Sequence, residues 1–173
     1  MQLPPLGTQP LLQIAQVGVL SSVLMLHVSH PSPQAVYRHI TRRHHDNNKH
    51  PDKITLLTQA RQKPMAWDVT VPDAYMESHI CSTATKPGAA ALKTTQNKID
   101  KYAKLASTHI FYPFAVETAG TWHDMAIELT QEIGRCVTTI TEDTRETNFL
   151  FQRLSIALQR GNAVSFQNTM VTE

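Results

Sequence analysis

Beyond residue 50, apolar and polar positions alternate in patterns that change with each predicted element. Ile54 to Leu57 is a brief apolar run consistent with a short strand. Met65 to Val71, "MAWDVTV", is aromatic and β-branched and predicts a second strand, closed by Pro72 and Asp73. Residues 73–86 carry no period and are expected to form a loop. Thr85 followed by Pro87 predicts a helix start. Leu92, Thr95, Ile99, Tyr102, Ala103 and Ala106 then recur at helical spacing, giving one apolar face to about residue 106. His109 to Thr118, "HIFYPFAVET", reads as a third strand, with Pro113 marking an edge or a bulge and Gly120 ending it.

Thr121-Trp-His-Asp124 has the form of a capping box with Asp in place of Glu. It opens a helix whose face is Trp122, Met125, Ala126, Leu129 and Ile133. A last helix is expected from about Glu142 to Arg160, with Leu150, Phe151, Leu154, Ala157 and Leu158 inward and Gly161-Asn162 as its stop. The order strand, strand, helix, strand, helix, helix is that of an α/β or α+β chain, and no internal repeat interrupts it.

The first forty residues follow no such plan. Residues 1–10 contain three prolines and a glycine and read as irregular. Leu11 to Val28 is nearly apolar, but Gln13, Gln16, Ser21 and Ser22 dilute it and no Lys or Arg precedes it. A buried helix or an ill-fitting leader is therefore expected there, ahead of a membrane span or a regular signal peptide. Residues 29–53 are polar, basic and rich in histidine.

Composition narrows the function classes. The chain has 173 residues, enough for one domain with a true core, and 41% apolar against 17% charged residues suits a folded protein. A net charge of +2 is compatible with nucleic acid without arguing for it. Cys81 and Cys136 form no CxxC, so neither a zinc knuckle nor a disulfide framework is supported. No glycine-rich phosphate loop is present, which argues against P-loop nucleotide hydrolysis. His39, His44, His45 and His50 lack a ligand pair at helical spacing and read as a solvated basic loop, within which Arg38, Arg42, Arg43, Lys49 and Lys53 can meet phosphates.

The carboxylate of Asp68 stands out because a charge inside an apolar strand must be paired, solvated or metal-bound. Alternation places Ala66, Asp68 and Thr70 on one side of the strand, and on that ground alone Asp68 would face water. Asp52, just before the Ile54 run, changes this: a hairpin of adjacent strands would bring Asp52 and Asp68 to one end. Two converging carboxylates suit Mg²⁺, which takes one or two protein oxygens together with water and phosphate. Lys98 and Lys101, three apart on the next helix, could orient a water or steady a phosphate. These are the parts of metal-assisted phosphodiester hydrolysis.

The ordered series "PD" at 51–52, "AWDVTV" at 66–71, "NKIDKY" at 97–102 and "FYPFAVETAG" at 111–120 resembles one family. It is the restriction-like endonuclease domain, of the PD-(D/E)xK superfamily, that follows the reverse transcriptase in certain non-long-terminal-repeat retrotransposons. The likeness covers about residues 42–160. It implies an α/β fold with a restriction-endonuclease-like mixed sheet flanked by helices, here with a helical C-terminal extension. The domain would span residues 41–160, after a poorly assigned segment 1–40 and before a tail at 161–173.

The resemblance implies DNA cleavage with Mg²⁺ or Mn²⁺ held by Asp52 and Asp68. Lys98 would be the catalytic lysine, carried on the helix instead of the strand, with Lys101 and Tyr102 as supporting or DNA-facing groups. Arg42, Arg43, His44 and Lys49 would contact nucleic acid, Arg43 and His44 lying in the family's Arg-His-Asp element. Glu117 holds the acidic position of the AVExxG strand, with a structural or a catalytic role. The implied partners are DNA, and RNA or the reverse transcriptase of a parent polyprotein, in the nucleus or cytoplasm and not outside the cell.

Two other readings stand beside this one. A degenerate relative would keep the fold, without cleavage, and bind nucleic acid or nothing; the lack of cysteine in residues 20–50, where the family carries a zinc knuckle, favours it. A small membrane-associated protein anchored by its first thirty residues is the third.

Overall fold

The computed structural model describes residues 17, 19–24, 53–55 and 65–170. Their element order is β1 (Lys53–Thr55), β2 (Met65–Thr70), α1 (Glu77–Thr85), α2 (Ala89–Lys101), a 3₁₀ turn (Ala103–Ser107), β3 (Ile110–Ala115), α3 (Asp124–Thr141) and α4 (Glu146–Met170). The three strands form one mixed sheet in the order β1-β2-β3. β1 runs antiparallel to β2, with Lys53 opposite Trp67 and Thr55 opposite Met65. β3 runs parallel to β2, with Met65 opposite Ile110 and Asp68 opposite Pro113. Parallel neighbours need a crossover, and α1 and α2 supply it. Pro113, without an N–H, sits on β3 at the end of the described strand order, as its chemistry requires.

Both faces of β2 are covered. Met65, Trp67 and Val69 join Val71, Phe114 and Val116 in the main core, closed by Ala126, Leu129, Ile133 and Val137 of α3 and by Leu150, Leu154, Ala157 and Leu158 of α4. The alternate positions Ala66 and Asp68 lie on the α2 side, where Ala90, Ala91, Thr95 and Tyr102 are buried. The layers are thus α3 and α4, the sheet, then α2. The fold class is mixed α/β, as the pattern of periods predicts.

Several boundaries differ from expectation. Residues 73–86 contain α1, a helix with no buried residue and so without the apolar stripe that would reveal it. It is held by its threonine instead, since the Thr83 hydroxyl donates to the Ala74 carbonyl at 2.9 Å. α2 ends at Lys101 and tightens into the 3₁₀ turn before residue 106. Its buried face keeps Thr95 and Tyr102 of the expected one, but Leu92 and Ile99 are 49% and 37% exposed, while the small Ala90 and Ala91 meet the sheet.

The expected capping box does not form. Residue 121 is occupied in a bridge, with the Glu117 N–H donating to its carbonyl and Val116 paired to Trp122. The helix start moves to Asp124, where His123 Nδ1 accepts from the Met125 N–H at 3.2 Å. Trp122 is half-buried and packs against the core, edge-on to Phe114 at 5.5 Å and against Phe151 at 5.4 Å.

The expected stop at Gly161-Asn162 is overridden, and the segment expected as a tail continues α4 to Met170. Gly161 is buried, and Asn162 Nδ2 donates to the Thr118 carbonyl at 2.8 Å, so the side chain that could have ended the helix ties it to the sheet. Residues 17 and 19–24 are helical, and Leu20 and Leu24 are fully buried in the main core. The core therefore begins well before residue 41. No helix among the described residues is long and apolar enough to cross a membrane.

Candidate functional site

Asp68 occupies the middle of β2, fixed by the pairing of the preceding Trp67 to β1 and by its own to β3. It is 3% exposed, so the reading in which it faces water is wrong. The face that alternation marks as polar is a second buried face, covered by α2. Asp68 Oδ2 accepts from Lys98 Nζ at 2.5 Å, a charge-assisted contact between side chains 4% and 23% exposed. Strand and helix are 30 residues apart in sequence at this contact. The lysine reaches in from solvent along its aliphatic stem while its ammonium neutralises the buried carboxylate.

α2 runs opposite to β3. Its first turn lies at Glu117, just past the end of β3, and its C-terminal Tyr102 packs on Phe111 near the strand's start, ring centroids 4.9 Å apart. Tyr102 is 5% exposed, which suits a supporting role and not a DNA-facing one. Lys101 is exposed, and its ammonium lies 4.9 Å over the Tyr102 ring, so it stays outside the seam that Lys98 enters.

Glu117 is 1% exposed. Its Oε1 accepts from the Ala90 and Ala91 N–H groups at 2.9 and 3.2 Å, and its Oε2 from the Gly88 N–H at 3.2 Å. Of the two roles open to it, the hydrogen-bonding one is what the geometry provides: it fills the N-terminus of α2, where a negative charge is favoured by the helix dipole. Gly88, at φ 85°, makes the turn that lets those amides converge.

Two hydroxyls sit in the same seam with no hydrogen-bond partner, Thr70 Oγ1 and Thr95 Oγ1. Thr95 is 2% exposed, and unlike Thr83, Thr130, Thr139 and Thr141 it does not bond back to the carbonyl four residues earlier. Sequence reasoning gave these hydroxyls no role, because a threonine in a helix or strand carries no mark of what faces it.

Asp52, Arg42, Arg43, His44 and Lys49 lie outside the described residues. Among the described residues no three His, Cys, Asp or Glu side chains are grouped to hold a metal ion. Asp68 offers a hard carboxylate oxygen of the kind Mg²⁺ and Mn²⁺ take, and that oxygen is engaged by the Lys98 ammonium. No protein-family model, curated protein or solved structure matches the chain.

Proposed function

We propose that this chain is a metal-dependent DNA endonuclease domain of the restriction-like type and of retrotransposon origin. The observation that carries the reading is the buried pair of Asp68 on a central strand with Lys98 on the crossover helix. The last described pair of the β1–β2 ladder, Lys53 opposite Trp67, adds to it, because Asp52 and Asp68 are the chain neighbours of these two residues. A mixed sheet with helices on both faces is the architecture the resemblance implies.

Asp68, with Asp52, would hold Mg²⁺ or Mn²⁺. When bound, the ion supplies Lewis-acid polarisation of a phosphoryl oxygen and eases deprotonation of water. Lys98 supplies three N–H donors that α2 delivers to the same point, suited to orienting a water or holding a non-bridging phosphate oxygen. Lys101, exposed one turn on, would meet the DNA backbone, as would Arg42, Arg43, His44 and Lys49 of the basic run. The reverse transcriptase of a parent polyprotein is the corresponding protein partner.

The closed ion pair itself favours a second reading. A carboxylate already neutralised by its own lysine is also what a degenerate, inactive relative would retain to stabilise the fold.

Nicking of supercoiled plasmid by the full chain separates the two, run with Mg²⁺, with EDTA and with Asp68→Asn. Cutting that needs both the ion and Asp68 establishes the nuclease. An intact plasmid, with the chain shown folded by circular dichroism, leaves the degenerate reading.

A further inference from the structure

A lysine on one element meets an aspartate on another only if the helix is set at the right height along the sheet. Three features determine that height. β3 is in register with β2 through Asp68 opposite Pro113, and this pairing continues past the strand: the Val116 N–H donates to Thr70 and the Thr118 N–H to Pro72, at 3.2 and 3.1 Å. Glu117 is thus built on the same ruler as Asp68, four residues beyond Pro113, or about 13 Å along the strand. From that point its carboxylate holds the first turn of α2 by three N–H groups. Ala91 to Lys98 is seven residues, about 10 Å back along the helix. The two lengths agree to within the reach of a lysine side chain.

We propose that Glu117 is the positioning residue for Lys98, a register pin that sets α2 lengthwise so that the ammonium arrives at Asp68. The assignment rests on the nuclease reading for its consequence in catalysis. Its chemistry is specific. The carboxylate spends one oxygen on two amides and the other on a third, so it grips the helix end at three points. Glutamine keeps the shape but loses the charge, and its amide NH₂ cannot accept from Gly88. Aspartate keeps the charge but is one methylene short. Both substitutions free α2 to slide or tilt, and Lys98 registers this most, because Lys93 and Lys101 are already exposed while Lys98 is held against buried Asp68.

The test treats the full chain with a limiting acetylating reagent and follows Lys98 by peptide mass spectrometry against Lys93 and Lys101 of the same helix. Wild type, Glu117→Gln and Glu117→Asp are compared, with Gly134→Ala as a destabilising control on the far side of the sheet. The ratio of Lys98 to Lys93 labelling should rise about fivefold in both Glu117 variants, the factor expected for losing an N-terminal cap, and stay unchanged in Gly134→Ala.

A parallel rise at Lys93 and Lys101 would mean that α2 merely frays, and would overturn the proposal. So would an unchanged ratio, or failure of both variants to fold. Plasmid nicking is measured alongside, with a fall in kcat at constant KM for DNA expected. A wild-type chain that does not nick removes the nuclease reading alone, because the labelling ratio still decides whether Glu117 positions Lys98.

Discussion

Replacing Lys98 by Met tests the central contact through stability. The substitution keeps the aliphatic stem and removes the ammonium, leaving Asp68, 3% exposed, with a charge and no cation. Breaking a buried pair from one side costs about 3–5 kcal/mol. Lys98 is 23% exposed, so water already screens part of the pair, and about 2–3 kcal/mol is the expected loss. For a chain of this size that lowers Tm by roughly 5–10 °C, and it should lower the urea midpoint without changing the slope.

Asp68→Asn in the Lys98→Met background should recover most of the loss, since the orphan charge is gone. Mg²⁺ supplies the cation by another route: at about a hundredfold excess over its Kd it would restore about 2.7 kcal/mol to Lys98→Met. Calorimetry of wild type and the two variants with and without Mg²⁺ gives all the values. A Lys98→Met protein as stable as wild type would refute the buried pair, and one that Mg²⁺ leaves unchanged would refute Asp68 as a metal ligand.

Three further outcomes follow from the packing and the backbone. Leu24→Ala should cost about 2–5 kcal/mol by chemical denaturation, because Leu24 is fully buried in the core; a neutral result would detach residues 19–24 from the fold. Gly134→Ala puts a Cβ against the Thr147 hydroxyl and 2.7 Å from the Thr147 Cα, so α3 and α4 must separate, at about 1–3 kcal/mol, and Thr147→Ala should rescue it only in part because the Cα and Cβ remain in the way. Glu142 ends α3 at φ 60°, a conformation that favours glycine, and Glu142→Gly should raise the thermal midpoint, by about 1 kcal/mol in stability.

Asp143 is held down to about 2 chiefly by the hydrogen bond from the Arg145 side chain, and then by the Arg145 backbone N–H. Its contribution is therefore present above the ordinary value of 3.8 and fades as pH falls towards 2. A carboxyl ¹³C titration should find that low midpoint, and Arg145→Met should move it up.

What was legible in the chain divides by the distance over which a signal acts. β2, β3 and the inward faces of α3 and α4 announce themselves through period and residue type, and they are where the pattern puts them. The chemistry of Asp68 was visible as an anomaly, but its burial was not, since alternation cannot distinguish a solvated face from one covered by a later helix. The partner of Glu117 was equally hidden: its amides lie 26 to 29 residues earlier. α1 buries nothing, so no stripe betrays it. At Gly161-Asn162 a valid local stop signal lost to a tertiary bond, the amide of Asn162 on Thr118.

The placement of Leu20 and Leu24 beside Leu150, Leu154 and Leu158 carries a consequence for how the chain is made. Leu20 and Leu24 must wait until Leu150, Leu154 and Leu158 have been synthesised before the apolar interior can close. At the usual elongation rate of about 5–20 residues per second, the interval between them is several seconds to half a minute. During that time Met65, Trp67 and Val69 have one wall of their eventual enclosure missing. The nascent protein is then an open sandwich with a sticky inner face, and its yield in a cell should depend on chaperones that shield such faces until α4 emerges.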